Sequence, residues 1–197
     1  MTKSVELKKL YYEYANEFAG REMVFGSGDS DSAVVFVGEA PGATEVLQGM
    51  AFVGPAGKNL SDFLSFAGFE RKNVYITNAI KYRLSKVNPV SGRIVNRPAT
   101  PHDIAANRPY IRREIEIISP SCVVTLGNVP YQAIAGDSNS GRIGAIHGRP
   151  VEVILNGYGF TIFPLYHPAS VIYNRKLKDI YEDDLTKLKE HLLKTGG

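Results

Sequence analysis

Cysteine is almost missing: the chain of 197 residues contains one, Cys122. An internal disulfide and any metal cluster held by several thiolates are thereby excluded. The run Cys122-Val-Val-Thr-Leu126 suits a small buried hydrophobe better than a nucleophile. No apolar stretch approaches a membrane span, and the polar start Met1 to Tyr12 lacks the pattern of a signal peptide, so the cytoplasm is the expected setting. Repeats and low-complexity tracts are absent. So are GxGxxG and GxxxxGK followed by Ser or Thr, which sets the common glycine-loop nucleotide enzymes aside. Acidic residues are missing from one long stretch: Arg71 to Pro101 carries Arg71, Lys72, Lys81, Arg83, Lys86, Arg93 and Arg97 without an Asp or Glu, in a chain of net charge only +3. Such a stripe either follows a phosphate backbone or is a solvated loop.

What is present suits one globular domain over 1–197, with 44% hydrophobic residues to build a core. The chain is organised around Ala33 to Gly57. Val34, Val35, Phe36 and Val37 are short, β-rich and ended by Gly38-Glu-Ala-Pro-Gly42, which predicts a buried strand with Glu39 at its mouth. Ligand pockets of open α/β sheets form at such strand ends, although an ordinary turn with a solvated glutamate has the same spacing.

Elsewhere, Val5, Leu7, Leu10, Tyr11, Tyr14 and Phe18 predict an amphipathic helix over 3–18, and Leu60, Phe63, Leu64 and Ala67 another over 58–66. Strands are expected at 74–77, 122–126, 151–155 and 160–165, the last two joined tightly through Asn156 to Gly159. Pro89, Gly92, Pro98 and Pro101 mark 84–101 as a long basic loop. Pro109 sets the start of a firm helix that closes before Pro120. A helix over 127–135, a glycine-rich excursion over 137–150 and a terminal helix over 184–193 complete the chain. Alternating strands and helices predict a three-layer α/β/α sandwich with a mostly parallel four-stranded central sheet. Glu39, Asn78 and His167 then fall together at strand ends.

Five segments, in order, carry a resemblance: Gly38-Glu-Ala-Pro-Gly42, Ala51-Phe-Val-Gly-Pro-Ala-Gly57, Val74-Tyr-Ile-Thr-Asn-Ala-Ile-Lys81, Thr125-Leu-Gly127 and Tyr166-His-Pro-Ala169. Over about residues 20–195 the chain resembles the uracil-DNA glycosylase superfamily, most of all its family 4. The resemblance implies that Glu39 sits beside the attacking water, Phe52 stacks on a flipped uracil, Asn78 reads the pyrimidine edge and His167 meets uracil O2. It implies a monofunctional glycosylase that hydrolyses the N-glycosidic bond of uracil in DNA, leaving free uracil and an abasic site at the start of base-excision repair. Ala169-Ser-Val-Ile-Tyr-Asn-Arg175 is similar to the family's gap-filling loop, with Val171, Ile172 and Tyr173 as the wedge and Ser170 and Arg175 for phosphate. Lys58, next to Gly54 and Gly57 whose N–H groups are expected to approach phosphate, joins Lys81 and Arg83 of the basic stripe as further DNA contacts. The implied partner is uracil-containing DNA, single- or double-stranded, met by a monomer at the nucleoid.

One departure stands out. Members of family 4 usually hold a four-iron four-sulfur cluster through four cysteines, and the matching positions here are Tyr11 and Tyr14, then Tyr82 and Asn107. None anchors a thiolate-bonded cluster, so no cofactor or metal is expected, and tyrosines and packing are left to fill the cluster's structural role. No lysine is placed as a Schiff-base nucleophile, so strand cleavage is not expected. His147, in Gly144-Ala-Ile-His-Gly-Arg149, lacks the basic run of the superfamily's covalent variant. Two readings stay open: a glycosylase for another deaminated base such as hypoxanthine or xanthine, and a catalytically weak DNA-binding module.

Overall fold

Strands with no charged side chain form the centre of the molecule: β2 (Val34–Gly38), β3 (Tyr75–Asn78), β6 (Cys122–Leu126) and β8 (Tyr158–Leu165). The computed structural model describes residues 2–136 and 141–195. These four strands run parallel in the order β3-β2-β6-β8. Helices cover both faces, which is why their sequences are continuous apolar runs rather than alternating ones. Two antiparallel edges enlarge the sheet to six strands: β1 (Ser27–Gly28) on β3, and β7 (Val151–Leu155) on β8. β1 is two residues of serine and glycine, too short and too polar to leave a periodic signal. The β7–β8 hairpin turns on Asn156 and Gly157 alone, at φ +48° and +85°, the left-handed pair that a two-residue hairpin needs.

Successive side chains of β2 enter opposite layers. Val34 and Phe36 pack with Leu60, Phe63 and Leu64 of α3 (Pro55–Ala67) and with Leu185 and Leu188 of α8 (Leu177–Thr195). Val35 and Val37 pack with Leu7 of α1 (Lys3–Glu17), Ile111 and Ile115 of α4 (Pro101–Ile118) and Ile134 of α5 (Asn128–Ala135). The three-layer α/β/α sandwich is the expected one.

The structure departs from expectation in places. α4 starts at Pro101 rather than near Pro109, because Thr100 and Asp103 cap each other: the Asp103 N–H donates to Thr100 Oγ1 at 3.2 Å and the Thr100 N–H to Asp103 Oδ2 at 2.8 Å. Pro109 lies inside the helix on its exposed side. α8 begins at Leu177, its first turns being mostly charged and exposed apart from the buried Tyr181. The basic loop contains a hairpin of β4 (Ser85–Val87) and β5 (Ile94–Asn96), paired Ser85 to Asn96, Lys86 to Val95 and Val87 to Ile94. Of the excursion expected over 137–150, residues 137–140 lie outside the described residues. The remainder holds the short α6 (Ile143–Ile146). Among the described residues no helix is long and apolar enough to cross a membrane.

Candidate active site

β2 has β3 on one side and β6 on the other, so a crevice opens at the carboxyl end of β2, where strand order reverses. Gly38 ends β2 and is paired in register with Asn78, the end of β3. A Cβ at Gly38 would lie 2.4 Å from Phe52 Cζ and 2.5 Å from Asn78 Oδ1. Only glycine lets ring and amide meet there.

Phe52 is held from several sides. Its φ of +53° is unusual for a residue with a side chain, and its carbonyl presses so closely on Gly57 that a Cβ there would sit 2.0 Å from the oxygen. Arg71 donates to the Ala51 carbonyl and, at 3.3 Å, to that of Phe52. The result is a fixed aromatic platform, 6% exposed, whose ring centre lies 6.1 Å from that of His167 with 30° between the planes.

His167 stands just beyond β8. The Ala169 N–H donates to His167 Nδ1 at 3.1 Å. That bond needs a lone pair on Nδ1, so the neutral ring carries its proton on Nε2. Burial pushes the imidazole pKa down, with the Glu45 carboxylate opposing, and the lowered value favours the neutral ring.

Phe52, Asn78 and His167 wall one pocket of about 290 Å³, together with Glu45, Asn96, Ile172 and Tyr173. Glu39 lies elsewhere, in an adjoining pocket of about 200 Å³ that shares Ala40, Asn96 and His167 with the first. Its Oε1 accepts the Ala99 N–H at 3.1 Å, and burial raises its pKa against that bond. His167 therefore borders two chambers, one walled by the Phe52 ring, the Asn78 amide and Glu45, and one by Glu39.

Two wall residues went unpredicted. Glu45, in α2 (Ala43–Gln48), accepts the Gly42 N–H at 3.2 Å and the Gly54 N–H at 2.9 Å, tying the two glycine turns together. The Gly54 N–H, expected to approach phosphate, is thus already occupied. Glu45 follows Gly42 as Glu or Gln follows a capping residue, and that spacing was the available signal. Asn96 touches both chambers from the β4–β5 hairpin, and its Oδ1 accepts Arg83 Nε at 3.0 Å. Nothing local in a basic loop marks it.

Among the expected DNA contacts, Lys81 is corrected: its side chain is 1% exposed and paired with the buried Glu114 of α4, out of reach of any phosphate. Part of the basic stripe is paired as well. Arg71 turns inward to the Ala51 and Phe52 carbonyls, Lys72 meets Glu70 at 2.7 Å, Arg83 meets Glu22 at 3.6 Å, and Arg97 grips Asp103 through two bonds of 2.7 and 3.0 Å. These partners all lie outside 71–101, so nothing within the stripe announces them. Lys86 and Arg93 remain exposed on the hairpin and form no ion pair among the described residues. Lys58 and Arg175 are exposed, while Ser170 is half-buried. In α7 (Ser170–Tyr173), Ile172 and Tyr173 stand out at the pocket mouth, 50% and 88% exposed. Val171, expected beside them, packs inward against the core and anchors the turn.

Three of the four positions expected to replace cluster cysteines converge. Tyr14 OH donates to Asn107 Oδ1, Asn107 Nδ2 donates to Tyr82 OH at 3.3 Å, and Phe18 and Tyr110 pack on the Tyr14 ring at 4.6 and 5.0 Å between centres. Tyr11 lies beside them and bonds to Glu114 instead. Rings and amides fill the space, and the single cysteine is buried in β6, its thiol pKa pushed up to about 12 by burial. These residues do not fit an iron–sulfur cluster. Among the described residues no group of three or more His, Cys, Asp or Glu is arranged to hold a metal.

Residues 25–192 match the Uracil DNA glycosylase superfamily. The Type-4 uracil-DNA glycosylase of Archaeoglobus fulgidus is 37% identical over 167 residues, 84% of this chain and 79% of the relative. That of Saccharolobus solfataricus is 35% identical over 175 residues, covering 87% and 77%. That of Thermotoga maritima is 34% identical over 176 residues, covering 88% and 85%.

Proposed function

The chain belongs to the uracil-DNA glycosylase superfamily, and we propose that it is a monofunctional glycosylase that releases uracil from DNA with its own side chains and no cofactor. One observation carries the reading: Phe52, Asn78 and His167 share a pocket in which the only ring proton of neutral His167 is on Nε2.

Breaking the C1′–N1 bond leaves the sugar cation-like and the uracil anion-like. A hydrogen bond from His167 Nε2 to O2 strengthens as negative charge gathers on the leaving base, so it favours the transition state over the ground state. The Asn78 amide nitrogen donates to O4 and its oxygen accepts N3–H. Cytosine presents the reversed pattern and leaves buried groups unpaired. The Phe52 ring stacks on the flipped base.

Glu39, in the neighbouring chamber, orients a water toward C1′ and offsets charge on the sugar. A sugar cation needs little help from a strong base, so positioning and electrostatics are its main contribution. Ile172 and Tyr173 fill the space vacated by the base, and Lys58, Lys86, Arg93 and Arg175 meet phosphates, giving sequence-independent, salt-sensitive affinity. The protein acts as a monomer on nucleoid DNA.

The test uses labelled oligonucleotides with one uracil opposite guanine, opposite adenine or unpaired, with hypoxanthine and thymine controls and alkali treatment of the product. Uracil release that collapses in His167→Ala supports the reading. Release of hypoxanthine alone moves the chain to a different substrate, and tight binding without product makes it a binding module.

A further inference from the structure

The chemistry above leaves a buried charge unused. Lys81 follows the end of β3 by three residues and faces Glu114, both side chains at most 1% exposed. Taking two charges out of water is often no better for stability than an apolar pair of the same size. Stability alone gives a weak reason for this one.

The hydrogen bonds give a better reason. The Lys81 ammonium donates to Glu114 Oε2, to Thr77 Oγ1 at 2.9 Å and to the Asn78 carbonyl at 2.5 Å. All three of its hydrogens are engaged, two of them on the last two residues of β3. The other side of that peptide is tied to β2: the Ala79 N–H donates to the Gly38 carbonyl at 2.8 Å, and the next N–H, of Ile80, to the Glu39 carbonyl at 3.0 Å. The Asn78–Ala79 peptide is therefore gripped at its oxygen by Lys81 and at its nitrogen by Gly38, the last residue of β2.

A second layer holds Lys81 itself. Its own N–H donates to Tyr14 OH at 2.8 Å, and Glu114 Oε1 accepts from Tyr11 OH, which meets Tyr75 OH at 2.5 Å. A Cβ at Gly26 would lie 2.6 to 2.8 Å from Tyr75, Glu114 and Tyr11, so the network closes only over glycine. Among the described residues the Asn78 side chain makes no hydrogen bond. Apart from the Phe52 ring that meets it over Gly38, its orientation depends on the backbone that carries it.

We propose that Lys81, held by Glu114, is a positioning residue: it fixes the peptide from which the Asn78 amide projects, and thereby sets both the rate on uracil and the rejection of cytosine. The inference rests on the uracil reading of the pocket. With the peptide loose, the amide drifts from the pyrimidine edge, and unpaired groups no longer penalise the wrong base.

Lys81→Met alone strands a buried carboxylate and tests folding more than positioning. The informative variant is Lys81→Met with Glu114→Met, an apolar pair of similar length, with Lys81→Met/Glu114→Gln as a second pair that keeps the acceptor for Tyr11. Expected for either folded pair are a Tm near the parent's, unchanged DNA affinity and a single-turnover rate on uracil reduced at least tenfold, with a smaller uracil-to-cytosine ratio. In an Asn78→Ala background the same pair should cost less than twofold, because no amide is left to position. Independently of catalysis, the Asn78 side-chain amide NMR signals should be sharp in the parent and broadened in the pair. A parental rate, an equal loss in both backgrounds or unchanged amide signals overturns the inference. An inactive parent overturns the uracil reading instead, and the amide signals still decide the role of Lys81.

Discussion

The backbone N–H of Ala169 donates to Nδ1 of His167, two residues earlier, and so fixes which ring nitrogen of the neutral imidazole carries the proton. The turn after β8 thereby leaves Nε2 as the donor of a ring that lines the pocket. Removing it with His167→Ala should lower single-turnover uracil release by about 10² to 10³, the usual consequence of losing one preorganised donor to a developing anion. By NMR, His167 should titrate below 6.5, and Glu45→Gln should move the midpoint lower still, since the Glu45 carboxylate opposes the effect of burial.

Glu39→Gln should keep DNA affinity and slow cleavage; equal single-turnover rates would remove Glu39 from the chemistry. Stability should move the other way. Burial raises the Glu39 pKa in the folded protein, so the folded state binds its proton more tightly than the unfolded one, and stability is lost as pH rises through the folded value. At pH 7 the glutamine variant should melt higher than the parent, and the gap should close as the pH falls below about 4.5, near the unperturbed carboxyl value. Thermal melts across that range check it.

Much of this site was legible because its residues announce themselves locally. Glu39 follows an apolar run and a glycine, Asn78 ends a β-branched run, and His167 precedes a proline after the last strand. Lys81 was misjudged for the opposite reason: its burial depends on Glu114, 33 positions along the chain, and no local pattern links the two. Arg71 was missed likewise, since it turns to carbonyls about 20 residues before it. The β4–β5 hairpin escaped because its strands are short and largely exposed, and Pro89 and Gly92 at its tip read as a loop. Side chains that answer to their own neighbours were predictable, and those that answer to another layer were not.

Gly38→Ala should damage platform and amide together. Its new Cβ would meet Phe52 Cζ at 2.4 Å and Asn78 Oδ1 at 2.5 Å, so one of them has to move. A stability loss of about 1 to 3 kcal/mol is expected from overpacking, with a tenfold or greater loss of rate that adding DNA does not restore. Denaturant melts and saturating single-turnover assays separate the two effects.

Lys86→Ala with Arg93→Ala should weaken DNA binding without changing the rate at saturation. For each phosphate that is no longer neutralised, the slope of log affinity against log salt should fall by about 0.9 on duplex DNA. Arg97→Ala is the contrast: its guanidinium is committed to Asp103 in a bond that holds that carboxyl well below the usual range. Its loss should lower the Tm more than the salt slope.

The meeting of Tyr14, Asn107 and Tyr82 joins the first helix, the turn beyond β3 and the fourth helix through rings and amides. A joint of this kind is finished when the chain has folded. Every bond in it runs between side chains of the chain itself, so ring packing and a short relay of hydrogen bonds set its strength. The loss of any one member is therefore felt in three elements at once, and the joint yields to temperature and denaturant as packing does.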